Sequence, residues 1–548
     1  MQLRVFNTLD FTNWRSDLRG GVRAAAVALP LGLAFGVVSG AGPVAGLYCA
    51  ICTGMFAALF GGTPTQIAGP TGPLAIVMAG VFVQFADLPA AAMGVVMLAG
   101  AIQMIFGALR IGRYISLIPY PVVSGFGSGV GCIIIVMQFN PLLGQISVSD
   151  TVTAVGVLPQ SFANANFWAT LIAAATLAAC YFMPRRIRTV VPAELIVLIG
   201  GSCLITMSGA NVPYLEAPDS LLPNFVFPPL LDLPWRDMWI AAVVIALISS
   251  LDSLLTSMAA DSATQQFHDS DRELLGQGLG NLIAGILGAI PGAGATSRTM
   301  SNIRAGGVSP LSGVIHSLLL FALLLGAGGL IRYIPASVLS GILVYIGVRI
   351  IDWGYLKRIR YAQPGSVLIM AIVWFLAVFV SVVTAVAVGV VMASLALVKR
   401  MADLQLESVE LSTEREAAPR LTNSEQAEFD KCNDRVLLIH LGGPMTFGAA
   451  NGLTRRLANI AAHDMVILDF TDVPHVDDSA TMALQTVIRR AKENGQIVIL
   501  VGLQHPVVRE FIRSGMQALI KSCLRFRRRL NALHYAATSI GEPEAEQS

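Results

Sequence analysis

GAIPGAGATSRTMSNIR, residues 288–304, breaks an otherwise apolar region with three glycines, a proline and two arginines, Arg298 and Arg304. GGTPTQIAGPTGPLAIVMAG, residues 61–80, does the same in the first half of the chain. Each run passes from an extended Gly/Pro segment into a short span, and each short span is the third in a series of seven. The first series lies near 22–40, 45–60, 71–85, 91–109, 115–140, 165–183 and 189–209. The second lies near 237–260, 274–290, 295–304, 310–331, 335–351, 365–381 and 382–399. Short, Gly/Pro-interrupted spans at matching positions of two halves point to an inverted repeat with its binding site near the bilayer midplane.

The composition sets the solvent. The chain is 55% hydrophobic and only 13% charged, with a mean hydropathy of +0.68, which marks a polytopic membrane protein and not a soluble one. Residues 24–86 and 114–149 carry no charge, so each stretch is long enough to cross a bilayer more than once. The first span leads straight into another, which predicts an uncleaved helix and not an export signal. With the N-terminus inside, Arg110/Arg113, Arg185/Arg186/Arg188, Lys357/Arg358/Arg360 and Lys399/Arg400 all fall on the cytoplasmic side. The proline-rich loop between the two series then falls outside.

A net charge of +2 with scattered basic residues excludes a nucleic-acid interface. Seven cysteines, mostly in apolar segments, do not form a disulfide framework, and the Cys49–Cys52 pair reads as small packing residues. No G-x-S-x-G elbow, P-loop or metal cluster is present in the sequence, so nothing points to an enzyme or a cofactor.

After Arg400 the character changes. Residues 403–430 hold eight acidic residues against two arginines, which reads as a solvated linker. Beyond it, RVLLIHLGG, MVILDFTDV and QIVILVG alternate with helical spacing and predict a small α/β domain in the cytoplasm. The predicted organisation is an N-terminus at 1–21, a first repeat at 22–209, an extracellular loop at 210–235 and a second repeat at 236–400. A linker and domain start at 401–434, an α/β domain at 435–535 and a tail at 536–548 follow.

At bilayer depth, broken helices are tolerated only where they are buried in protein or line a cavity. The free N–H groups of the two half-helices starting near Thr71 and Thr296 are expected to face each other and form one anion site. Gly69, Gly72, Gly292 and Gly294 would let an ion approach the backbone, with Ala295 in the same turn and Thr71, Thr296 and Ser297 adding hydroxyls. The competing reading is that these runs are re-entrant turns that let helices pack closely. Asp252 is the only charge between Asp237 and Asp261, and Thr256 follows one turn later on the same face. With oxygens around Gly294 to Thr296, this pair suits Na⁺; alternatively Asp252 carries a proton, or pairs structurally with Arg298. Arg298 can bind an oxyanion, pair with Asp252, do each in turn, or snorkel to the inner face. Arg304 reads as an interfacial anchor and Glu194 as structural. Ser479, between a strand and a helix, reads as a helix N-cap.

ALPLGLAFGVVSGAGPVAGLY, FGGTPTQIAGPTGP, LDSLLTSMAADS and NLIAGILGAIPGAGATSRTMSNIRAGG resemble the sulfate permease family, also called SulP or solute carrier family 26. The tail from about residue 430 resembles a STAS domain. The resemblance implies fourteen segments in two inverted repeats, a core moving against a gate, a homodimer and cytoplasmic STAS domains in a cell inner (plasma) membrane protein. It assigns Ser479 to a regulatory position, although Ala480 replaces the usual glycine there, and it leaves room for a protein partner at the STAS domain. Among subgroups, Asp252 with Thr256, the G-A-T at 294–296 and GGPMTFG resemble sodium-dependent bicarbonate transporters of cyanobacterial type. Ser297–Arg298 instead resembles the anion site of sulfate and animal members. The functional expectation is a Na⁺-dependent bicarbonate symporter. The alternatives are a proton-coupled sulfate or dicarboxylate symporter or exchanger using Arg298 and, more remotely, an anion sensor signalling through the STAS domain.

Overall fold

A computed structural model describes residues 7, 11–115, 119–146, 151–188, 191–216, 221–223, 225–226, 233–407, 409–412, 421–432, 434–445 and 463–541. Part of the proline-rich loop, part of the acidic linker and the end of GGPMTFG lie outside the described residues. The chain divides into two compact units, residues 1–393 and 394–548.

Among the described residues, fourteen main helices, with shorter helical turns between them, fill the first unit and begin the second. They are α1 (Trp14–Val38), α2 (Pro43–Phe60), α3 (Gly72–Gln84), α4 (Pro89–Ala108), α5 (Tyr120–Leu142), α6 (Phe167–Phe182) and α7 (Ala193–Ser208). The second set is α8 (Trp235–Thr264), α9 (Ser270–Ile286), α10 (Thr296–Arg304), α11 (Pro310–Ala327), α12 (Ala336–Ile350), α13 (Pro364–Phe379) and α14 (Val382–Glu407). Proline in the first turn opens α2, α3, α4, α5, α11 and α13, where its missing N–H costs no intrahelical bond. Every sequence-predicted span has its helix. Among the described residues, eight segments are long and apolar enough to cross a membrane, and α3, α6, α7 and α13 are shorter apolar helices. The two remaining helices, α9 and α10, are more polar, and both are needed at the site.

Packing sorts the helices into two bundles. Helices α1–α4 pack chiefly with α8–α11, and α5–α7 with α12 and α13. Small residues set the closeness inside the first bundle: a Cβ at Gly100 would lie 2.4 Å from the Leu282 backbone nitrogen, and one at Gly276 2.5 Å from that of Gly61. This close α4–α9 and α2–α9 packing is how helices associate where lipid gives no hydrophobic drive.

The second unit carries a five-stranded sheet in the order β3 (Val409–Ser412), β4 (Val436–Gly442), β5 (Met465–Asp472), β6 (Ile497–Val501), β7 (Leu524–Phe526). Its β4 to β7 are parallel and β3 is antiparallel. In β5, Val466, Leu468 and Phe470 pack on one face, while Met465 and Ile467 pack on the other. A sheet buried on both sides explains why its strands read as unbroken apolar runs. Helices α15 (Asn423–Asp430), α16 (Asp478–Glu493), α17 (His505–Arg513), α18 (Gln517–Lys521) and α19 (Arg529–Gly541) complete it. The cap of α16 departs from expectation. Asp477, not Ser479, is the N-cap, and its carboxylate accepts the Ala480 amide at 2.7 Å. Ser479 falls inside the first turn, and the charged acceptor holds the cap because it also meets the positive end of the helix dipole.

Candidate functional site

The two interrupted runs meet. β1 (Ala68–Gly69) and β2 (Ala293–Gly294) pair antiparallel, Ala68 with Gly294 and Gly69 with Ala293. The Ala295 amide extends the pairing to the Ile67 carbonyl at 3.0 Å. Extended backbone is thus satisfied at bilayer depth without water, as the lipid solvent demands.

Helix α8 holds β2 in place with one polar face. Ser249, Ser253 and Thr256 recur at helical spacing. Ser249 Oγ donates to the Gly292 carbonyl at 2.7 Å, Ser253 Oγ accepts the Gly294 amide at 3.0 Å, and Thr256 Oγ1 donates to the Gly294 carbonyl at 3.0 Å. From α9, Asn281 accepts the Gly292 amide at 2.7 Å. From α10, Thr299 Oγ1 accepts the Ile67 amide at 3.0 Å and Asn302 Nδ2 donates to the Thr65 carbonyl at 2.9 Å. Glu273 on α9 fixes the approach to β1. Its buried carboxylate accepts the Gly62 and Thr63 amides at 2.9 Å each, Gln66 Nε2 at 2.7 Å and Gln277 Nε2 at 3.0 Å. Four donors make a buried charge tolerable.

From this crossing α3 and α10 diverge with their N-termini at the same place. Thr71 caps α3 and Ala295 caps α10, and neither cap makes a side-chain hydrogen bond to its helix. First-turn amides are left for a ligand, and both dipoles favour an anion.

Thr71, Gly72, Asp252, Thr256, Gly294, Ala295, Thr296, Ser297 and Arg298 line one cavity of about 410 Å³, which Gly69 and Gly292 do not reach. It lies between the two bundles, with α5, α7 and α12 forming the facing wall through Phe126, Glu194 and Arg349. Asp252 Oδ2 accepts from Thr71 Oγ1 at 2.9 Å, and Thr256 Oγ1 lies 2.8 Å from Thr296 Oγ1. One carboxylate, two hydroxyls and a carbonyl make an oxygen-only donor set, suited to a hard cation. Among the described residues no group of three or more His, Cys, Asp or Glu side chains could hold a metal ion.

Arg298 differs from what its position suggested. Its side chain is only 1% exposed, and Nη2 donates to the Pro70 carbonyl at 2.6 Å. It lies behind β1: a Cβ on Gly69 would stand 2.4 Å from Nη1 and 3.0 Å from the Ala50 Cα. Among the described residues no ion pair joins Arg298 to Asp252, so the structural pair entertained for them is not formed; Pro70 and Thr71 separate the two by taking one partner each. The glycines also serve differently. Gly292 faces Thr53 and Cys49, Gly294 faces Gln66, and Gly72 faces Ile134 and Ile350 of the other bundle, so their missing side chains let neighbours close in. Arg304 is exposed at the end of α10, and Cys49 and Cys52 are buried free thiols.

Sequence reading missed the roles of Glu273, Gln66, Ser249 and Ser253, and the place of Arg349. A signal was present for the first: Glu273, Gln277 and Asn281 form a polar stripe at i, i+4 and i+8 on a membrane helix. Glu194, read as structural, lines the cavity.

Two inverted sets of helices crossing at broken third segments, with a ligand-sized cavity at the crossing, define the class: a secondary transporter with an α/β appendage. The chain belongs to the sulfate permease family, which it matches over residues 14–373, and residues 430–531 match the STAS domain. It is 40% identical over 512 residues to the bicarbonate transporter BicA of Picosynechococcus sp., covering 91% of this chain and 90% of that protein. The solved transmembrane domain of a cyanobacterium bicarbonate transporter BicA superposes with a TM-score of 0.65 at 40% identity, covering 71% of this chain and 100% of that one. In fold alone, the murine Solute Carrier 26 family member A9 anion transporter in the inward-facing state is similar, with a TM-score of 0.82 at 16% identity over 97% of this chain and 92% of that one. The chain is a membrane anion transporter.

Proposed function

We propose that this protein is a Na⁺-dependent bicarbonate symporter that works by alternating access. One observation carries the reading: an oxygen-only cation set of Asp252, Thr256, Thr296 and the Gly294 carbonyl adjoins two uncapped helix N-termini, while the Arg298 guanidinium is buried against β1 and donates to the Pro70 carbonyl. With Arg298 held by the Pro70 carbonyl and Arg349 on the facing wall, the seat between the half-helices relies on two dipole ends, which suits a single negative charge. Na⁺ beside Asp252 cancels the carboxylate and adds positive potential where the anion sits. Either ion alone binds poorly and the two bind well together, which is coupling.

The 40% identity to a protein named as a bicarbonate transporter supports the choice of substrate. A second cavity of about 600 Å³, lined by Gly42, Gln138, Tyr214, Glu216 and Ser340, lies at the other end of the division between the bundles. It supports a path on each side of the site, with the bundle of α1–α4 and α8–α11 carrying its ions past the other in an elevator-like stroke. In this reading the chain sits in the plasma membrane as a homodimer with its N-terminus and STAS domain inside. The arginines and lysines at the ends of α4, α6, α10, α12 and α14 support that orientation.

The test is uptake of labelled bicarbonate and labelled sulfate into proteoliposomes, each with and without an inward Na⁺ gradient at fixed pH. Bicarbonate uptake that needs Na⁺ is expected. Sulfate uptake indifferent to Na⁺ and driven by an inward proton gradient would falsify the reading.

A further inference from the structure

The wall of the cavity that faces the half-helices carries its own ion pair. Glu194 stands in the first turn of α7 and Arg349 in the last turn of α12. Glu194 Oε1 lies 3.6 Å from Arg349 Nη1, and the two side chains are 11% and 58% exposed. That separation is too long for a hydrogen bond, so the contact is Coulombic and loose. The guanidinium is steadied from behind: it lies over the Tyr345 ring at 5.4 Å, and Nη1 donates to Tyr345 Oη at 3.3 Å. Tyr345 in turn packs edge-on against Tyr181, with ring centroids 6.5 Å apart. Among the described residues the Tyr345 hydroxyl is the only hydrogen-bond partner of Arg349. A guanidinium has five N–H groups in a planar fork, and Arg349 lines the cavity, so it keeps donors with which to meet a planar anion there.

We propose that Arg349 is the first contact of the anion inside the cavity and that Glu194 is its tethered competitor. The side-chain carboxylate of Glu194 presents the same planar O–C–O group as bicarbonate. With no anion bound, Glu194 neutralises the guanidinium. An arriving anion takes its place with two hydrogen bonds where Glu194 makes none, and Glu194 re-pairs once the anion has moved on to the amides of α3 and α10. The pair thereby keeps the mouth of the cavity from binding the anion so tightly that it cannot pass. Asp252 is the other carboxylate of the cavity, engaged with Thr71 on the opposite wall.

This inference rests on the reading of the chain as a bicarbonate transporter, and the experiment separates the two. Initial rates of labelled bicarbonate uptake by the full-length chain in liposomes are measured against bicarbonate concentration. Arg349→Gln is expected to raise the half-saturating concentration about tenfold with little change in maximal rate, because a charge-assisted bidentate contact is lost. Glu194→Gln is expected to lower it severalfold, because the competitor is gone. The double variant should match Arg349→Gln alone, since Glu194 acts only through Arg349. Arg349→Lys, which keeps the charge and loses the fork, should fall between parent and Arg349→Gln. A merely structural pair predicts the opposite pattern: both single variants shift the same way, with less folded protein. A half-saturating concentration unchanged or raised in Glu194→Gln, or unchanged in Arg349→Gln, overturns the proposal while parental uptake stands. No bicarbonate uptake by the parent chain overturns the functional reading itself and, with it, this proposal.

Discussion

Replacing Asp252 with Asn probes the proposed cation site at almost constant shape. The amide keeps an oxygen to accept from Thr71 Oγ1, now 2.9 Å from Oδ2, so the contact between α8 and the start of α3 survives. Only the charge goes. Removing one member of a buried ion pair costs about 3–5 kcal/mol, and each 1.4 kcal/mol is about tenfold in affinity. Asp252 is partly exposed to the cavity and water screens it, which places the effect at the lower end, about a hundredfold weaker Na⁺ binding. Thr256→Val removes one neutral hydroxyl ligand and the bond to the Gly294 carbonyl, worth about 1 kcal/mol or roughly fivefold. The assay is bicarbonate uptake into proteoliposomes as Na⁺ is varied. The half-saturating Na⁺ concentration should rise in the order parent, Thr256→Val, Asp252→Asn. An Asp252→Asn protein whose Na⁺ dependence stays within threefold of the parent refutes the placement of the cation.

Gly69→Ala drives a methyl to within 2.4 Å of Arg298 Nη1 and 3.0 Å of the Ala50 Cα; thermal unfolding should show a loss of about 1–3 kcal/mol, whereas Gly80→Ala on α3, with nothing within 4 Å, should be neutral or slightly stabilising. In the STAS domain, Arg529 bonds Glu425 at 3.0 Å and buried Asp469 at 3.1 Å, so Arg529→Met should speed hydrogen exchange in α15 and α19, consistent with a loss of about 3 kcal/mol. Burial alone would raise both carboxyls, yet Arg529 holds Glu425 and the His440 contact holds Asp469 below the usual range. Depressed carboxylates stabilise fully above the unfolded pKa of about 4, so this domain of the parent chain should loosen as pH falls from there through the lower folded values. Asp477→Ala should weaken protection in the first turn of α16 by about 1 kcal/mol, and Ser479→Ala by a few tenths, because Asp477 makes the cap.

The spans were legible because the bilayer imposes length and hydropathy on every crossing segment, and the site was legible because glycine and proline at matching places in two halves have few other uses. Thr71, Asp252, Thr256 and Thr296 could be named in advance for the same reason: each is a polar group where polarity is costly. What stayed hidden depends on partners distant along the chain. Glu273 takes donors from residues 62, 63 and 66, more than two hundred positions away, and nothing local says which loop they come from. The direction of the Arg298 side chain is equally non-local, since the space it enters exists only because Gly69 lies against Ala50. Arg349 stands at a helix end, where basic residues are common, and nothing local marks it as facing the site.

The two-rung ladder of Ala68 with Gly294 and Gly69 with Ala293 bears on leakage. A carrier that moves two cargoes is wasteful if one can travel without the other, and slack between their seats is how that happens. Here Thr71 belongs to one half of the chain and Thr256 and Thr296 to the other, yet the ladder stitches the halves within a residue or two of each seat. The seats cannot drift apart without tearing backbone bonds in a solvent that offers no replacement. In the coupled transport proposed above, two short strands would act as the rivet that makes both ions ride together or not at all.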